Sequence, residues 1–318
     1  MKVNFHLISF QALSIDLQDL FRYDFFIMRI VMDFDGVYTD PSEEGEACSK
    51  YFRDKILSLK LKKVELETIE KVESWLGELR ARQASCPFEF GWRSEGRVSA
   101  FAFEDPFIRN IGLADYLDAL VVRKDPRAVA VLASLKQTEK IESFGQLSEW
   151  SFLQLNLKKR ADPSTRTWVA SAMEKGHEVF IVSNSSSQKI EDFLSQNGYT
   201  NEYRPKIRGG AQKYGLGQKP NLLKLSRAAD ASICVDTDRP FYEHALLEIQ
   251  PDAVIGDVFC LDLSLPIRLK REGKLAFKWG IFYRHRDYTP SQMIELISGR
   301  NSQVPEVKLV RDWSQVWT

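Results

Sequence analysis

Cysteine and histidine are both scarce, four of each in 318 residues. Cys48, Cys86, Cys234 and Cys260 show no pairwise spacing that suits a metal. Cys234 and Cys260 fall in apolar runs, where cysteine serves as a small core residue. No disulfide framework is expected, which fits a reducing cytoplasm. His177 and His244 have no partner visible in the sequence, and nothing points to zinc. Excess charge is absent as well: Lys+Arg and Asp+Glu both number 44, which gives no reason to expect a nucleic-acid surface. No apolar run approaches the length of a membrane span. The moderately apolar stretch from Phe5 to Ile15 has only Lys2 before it and no small-residue cleavage site after it, which argues against a signal peptide. Repeats and low-complexity segments are missing too.

What remains is an ordinary globular composition, 44% apolar and 28% charged, long enough for one large domain or two ordinary ones. The chain is organised around the stretch from Arg29 to Asp40. Ile30 to Met32 reads as a buried parallel strand. It ends on Asp33 and Asp35, and Gly36 then lets the chain turn sharply. Open α/β sheets bind ligands at this end of their strands. Two carboxylates placed there repel unless a cation or a proton lies between them. From Ser42 to about residue 158 the sequence is mostly helical, interrupted at 86–107 by Pro87, Gly91, Gly96 and Pro106. That interruption concentrates Phe88, Phe90, Trp92, Phe101 and Phe103 around Arg93 and Arg97. From Thr165 onward strands alternate with helices, which predicts an α/β fold: a Rossmann-like, doubly wound parallel sheet. The predicted elements include a helix opened by Asp162-Pro163-Ser164 with Ser164 as its cap, a helix over 221–229, and strands over 178–182, 232–235 and 253–255.

Asp33-Phe34-Asp35-Gly36-Val37-Tyr38-Thr39-Asp40 resembles the first motif of the haloacid dehalogenase superfamily, Asp-x-Asp-Gly-Val/Thr-x-x-Asp. The resemblance implies that Asp33 is a nucleophile forming an aspartyl-phosphate and that Asp35 is the general acid/base. It also implies that Ser183, after the apolar run 179–182 and with Asn184 beside it, binds a phosphoryl oxygen. Lys219-Pro220, ahead of the expected helix, matches the lysine motif more closely than Lys206 or Lys213. Asp236 and Asp238, after the expected strand 232–235, stand as the magnesium-binding acids; Asp257 with Asp262 fits one written form of that motif but falls one strand later. Magnesium would then be held by Asp33, the backbone carbonyl of Asp35, and Asp236.

The resemblance further implies a core of residues 28–42 and 160–318, with an inserted, mainly helical cap over 43–159. Residues 1–27 are read as an extension. The function implied is magnesium-dependent hydrolysis of a small phosphorylated metabolite in the cytoplasm, with Arg93 and Arg97 as substrate-facing groups and no membrane or nucleic-acid partner. A phosphomutase, or a catalytically silent scaffold on the same fold, is the alternative. Dehalogenases of this superfamily lack an acid at the position of Asp35.

Overall fold

The computed structural model describes residues 27–59, 61, 68–155, 159–226, 232–298 and 302–317, so the expected extension lies outside it but for Ile27. Six strands form the main sheet: β1 (Arg29–Met32), β2 (Glu178–Val182), β3 (Lys206–Arg208), β4 (Ala253–Gly256), β5 (Gly280–Arg284) and β6 (Val307–Val310). Their order is β6-β5-β4-β1-β2-β3 and every neighbouring pair is parallel. The chain winds outward from β1 through β2 to β3, then returns to the other side of β1 to begin β4. The strand order therefore reverses between β1 and β4, and the crevice beyond their carboxyl ends is where sheets of this kind take ligands.

Helices α1 (Ser42–Leu57), α2 (Ile69–Ser85), α3 (Pro106–Val122), α4 (Pro126–Glu139), α5 (Phe144–Gln154) and α6 (Pro163–Glu174) separate β1 from β2. Next come α7 (Ser187–Gln196) after β2, α8 (Pro240–Ile249) before β4, α9 (Ser264–Arg271) before β5 and α10 (Ser291–Ser298) before β6. Alternation along β1 sends Val31 to one face of the sheet and Ile30 and Met32 to the other. Val31 joins an apolar layer with residues of α8, α9 and α10, and Ile30 and Met32 join one with α6 and α7. Both faces of the sheet are covered, as the near-continuous apolar strands require.

Helices α1 to α5 enclose an apolar cluster of their own, with Phe52, Trp75, Phe90, Leu117, Leu135 and Phe144 buried in it. At its base Thr39–Asp40 pairs antiparallel with Arg160–Ala161, joining the chain's exit from β1 to its return. Residues 86–107 contain a hairpin, Gly91–Ser94 with Arg97–Phe101. Between Ser183 and Lys219 there is no inserted domain among the described residues, only α7, a short 3-10 turn, β3 and a loop.

Two local expectations are corrected. The cap of α6 is Asp162, whose carboxylate accepts the N–H groups of Ser164 and Thr165; Pro163, with no N–H to satisfy, opens the helix. Residues 222–226 form a strand, antiparallel to Ser232–Asp236, where a helix was expected. Leu222 and Lys224 face outward while Leu223 and Leu225 are buried, the two-residue period of a strand. This hairpin stands apart from the main sheet, so β4 directly follows it as the neighbour of β1.

Candidate active site

Three residues stand one position past adjacent strand ends: Asp33 after β1, Ser183 after β2 and Asp257 after β4. Asp33 extends the ladder, its N–H donating to the Ile255 carbonyl at 2.9 Å. Beyond Asp257 the chain makes a π-helical turn, Phe259–Leu263, which returns Asp262 to the sheet's edge. Carboxylate oxygens of Asp33, Asp257 and Asp262 all lie within 4.8 Å of one another. Two glycines permit this convergence. Gly36 has φ +79°, and a Cβ there would overlap the Asp257 carboxylate; a Cβ on Gly256 would overlap Asp262.

Among the described residues, one ammonium group serves this cluster. Lys213 Nζ donates to Asp33 Oδ1 at 2.6 Å and to Asp262 Oδ1 at 2.9 Å, and its side chain is almost fully buried. The loop that carries it is fixed by Asn184, whose Oδ1 accepts the Lys213 N–H at 2.6 Å, and by Arg239, which donates to the Lys213 carbonyl. A single cation leaves the acids underneutralised. Burial pushes the Asp33 carboxyl up to about 7, against the pull of Lys213 and with further push from Asp262 and Asp35. Burial, Asp262 and Asp33 together raise Asp257 well above the usual carboxylate range. Tyr288 donates to Asp257 Oδ2 at 2.6 Å, but Asp257 Oδ1 is buried with no hydrogen-bond partner among the described residues. A buried acid oxygen with no donor, converging with two more carboxylates, suits a hard divalent cation such as magnesium.

Asp35 sits in a different electrostatic setting. Its Oδ2 accepts from the Ser185 hydroxyl at 2.9 Å, and Oδ1 is ion-paired with Lys159. Burial alone would raise this carboxyl, but Lys159 more than offsets it and holds Asp35 below the usual value. Lys159 also bonds Glu44 of α1 at 3.0 Å. The turn carrying Asp35 is clamped by Arg286, which donates to the carbonyls of Gly36 and Val37 and pairs with Asp162 at 2.7 Å.

A cavity of about 310 Å³ opens above these groups, and Asp33, Asp35, Ser183 and Asn184 all line it. Those four expected residues are brought together. Lys219, Asp236 and Asp238 are not, and Lys213, Asp257 and Asp262 stand beside Asp33 instead. Lys219 is exposed on a loop, its N–H bonded to Asp238 Oδ2 at 3.1 Å. Asp236 ends the separate hairpin, where it accepts the Asn221 and Asp238 N–H groups and pairs with Arg97. The physical cause is the hairpin itself: an antiparallel pair outside the main sheet cannot deliver its acids to the carboxyl end of β1. The arginines are also committed elsewhere. Arg97 binds Asp236 and the Gly217 carbonyl, and Arg93 donates to the carbonyls of Glu89 and Gly96.

Lys159, Glu44, Tyr288 and Arg286 carry no local signal in the sequence, since each is defined only by a contact distant in the chain. For Asp257 and Asp262 the signal was present, as Gly256-Asp257 with a second acid five residues on.

No protein-family model matches this chain. No curated protein matches it either. Solved structures to which it is similar include a 2-haloacid dehalogenase from Pseudomonas syringae pv. tomato DC3000, at 12% identity and TM-score 0.40, covering 91% of this chain and 96% of that one. Another is a predicted phosphoglycolate phosphatase from Haemophilus somnus 129PT, at 13% identity and TM-score 0.41, covering 92% and 96%. A third is the HAD-hydrolase YfnB from Bacillus subtilis bound to magnesium, at 13% identity and TM-score 0.43, covering 92% and 97%. At that level of likeness the chemistry has to be read from the chain's own side chains.

Proposed function

We propose that this protein is a magnesium-dependent phosphohydrolase of the haloacid dehalogenase type, cleaving a phosphate monoester through phosphorylated Asp33. The observation that carries the reading is the convergence of Asp33, Asp257 and Asp262 with buried Lys213 at the switch point of a parallel sheet. Lys213 fixes Asp33 by Oδ1, leaving Oδ2 to attack phosphorus. As the new O–P bond forms, the ester P–O bond breaks and the leaving oxygen takes a proton from Asp35. Water then attacks phosphorus, gives its proton to Asp35 and frees the Asp33 carboxylate.

Asp35 is ionised here, paired with Lys159, which is its state for accepting that second proton. An incoming phosphate dianion raises the carboxyl and favours loading the first. Ser183 and Asn184 line the cavity with Asp33, and Ser183 would bind a phosphoryl oxygen there. Magnesium, held by Asp33, Asp257 and Asp262, would polarise a phosphoryl oxygen and offset the acids' repulsion. Helices α1 to α5 act as a cap that closes this site and selects the ester. The acid at position 35 separates the reading from dehalogenation.

The test is phosphate release from a panel of monoesters, with magnesium and with chelator. Turnover of at least one ester that stops on chelation is expected. No release from any of them with magnesium present would overturn the reading.

A further inference from the structure

We propose that the ester cleaved at this site carries a compact apolar leaving group, an aryl or short alkyl alcohol, rather than a polyol or a second anion. The inference rests on the phosphohydrolase reading for the phosphate end and on the cavity walls for the rest. Away from Asp33 and Ser183 the cavity is lined by Trp92, Phe107, Ile108, Ile111, Phe152 and Leu153. Phe107 and Phe152 meet with ring centroids 5.2 Å apart, forming one continuous aromatic wall. Leu153 is 70% exposed, so it belongs to no core and presents apolar surface at the cavity mouth. At about 310 Å³ the space is at the small end of ligand pockets, which run from about 300 to 1,000 Å³.

The charged lining disfavours a second anion. Asp33, Asp35, Glu44, Asp105 and Asp262 line the cavity, against Lys159 and Lys189. Lys159 is already bound to Asp35 and Glu44, and Lys189 is at the exposed rim. Arg93 and Arg97, the cations that could have met a distal carboxylate or phosphate, are bonded away from it. A polyol fares little better: Phe107, Ile111 and Phe152 offer its hydroxyls no polar side-chain atom, and of the lining acids Glu44 already holds Lys159 and Asp105 already accepts the Phe107 and Ile108 N–H groups. Apolar atoms at the same place gain about 0.8 kcal/mol per buried methylene.

The experiment measures calorimetric affinity of the full chain, with magnesium, for three non-hydrolysable phosphonates: benzyl, 2,3-dihydroxypropyl and 2-carboxyethyl. Benzylphosphonate is expected to bind at least about tenfold tighter than either polar analogue, the equivalent of two buried methylenes. Leu153→Lys, at an exposed position that folding does not require, should shrink that advantage and favour the carboxyethyl compound. Equal affinities, a preference for a polar analogue, or no binding of any of the three would overturn the proposal. The readout needs no turnover, so the two readings fail separately. A chain that binds benzylphosphonate best yet hydrolyses no ester refutes the reaction alone. One that hydrolyses esters while preferring the dihydroxypropyl group refutes the leaving-group assignment alone.

Discussion

Replacing Asp33 with asparagine should stabilise the metal-free protein while abolishing turnover. The carboxyl is raised from its ordinary 3.8 to about 7, so ionising it in the folded chain is opposed by the surrounding acids and by burial. That rise corresponds to about 4 kcal/mol that the ionised wild-type forfeits at pH 8. Asparagine has nearly the shape of the protonated acid and never carries the charge. The sign follows from proton binding. Between about pH 4 and 7 the folded state holds a proton on Asp33 that the unfolded state has released, so wild-type stability falls as pH rises through this window. The advantage of Asp33→Asn should therefore be about 4 kcal/mol at pH 8 and below about 2 kcal/mol at pH 5. Urea unfolding of both proteins in chelator at the two pH values reads it; groups remote from the cluster cancel in the difference, while relief of Asp257 adds to the variant's advantage at pH 8. A variant less stable than wild-type at pH 8, or a difference that does not change with pH, would refute the account of the acid cluster.

Other perturbations separate the assigned residues from their rivals. Lys213→Met should lose turnover and about 3–5 kcal/mol of stability, because it strips a buried pair of its cation, whereas Lys219→Met should change neither kcat nor the unfolding midpoint. Asp257→Ala should abolish magnesium binding by calorimetry, while Asp236→Ala, which breaks the pair with Arg97, should leave magnesium affinity intact and lower stability. Lys159→Met removes the cation that holds Asp35 down, so the limb of the pH–rate profile governed by Asp35 should move to higher pH; an unmoved limb would show that the pair does not tune Asp35.

Much of this architecture could be read from local sequence. Val179 to Val182 and Ile30 to Met32 are apolar runs bounded by turn residues, and a buried parallel strand leaves that signature wherever it occurs. Asp33 and Ser183 were legible at the strand ends because each follows directly on such a run, with Asp35 and Asn184 close behind. The lysine and the remaining acids depend instead on which strands share a sheet. Residues 222–226 look locally like part of a helix and 232–236 like a core strand, yet the two pair with each other as antiparallel strands. With that strand counted into the sheet, Asp257 seemed one step too distant, and Lys219 gained a helix where Leu222–Ser226 is a strand. Lys213 has no local mark at all. Its role comes from burial against Asp33 and Asp262, 180 and 49 residues away in the chain.

The central claim is that Asp33 is phosphorylated during turnover. Rapid acid quenching of the enzyme with a hydrolysable monoester and magnesium, followed by peptide mass spectrometry, tests it most directly. The account predicts a phosphoryl group on the peptide containing Asp33, absent from Asp33→Asn and from samples quenched after chelation. Phosphate released in a burst, with the Asp33 peptide unmodified at every quench time, would contradict it.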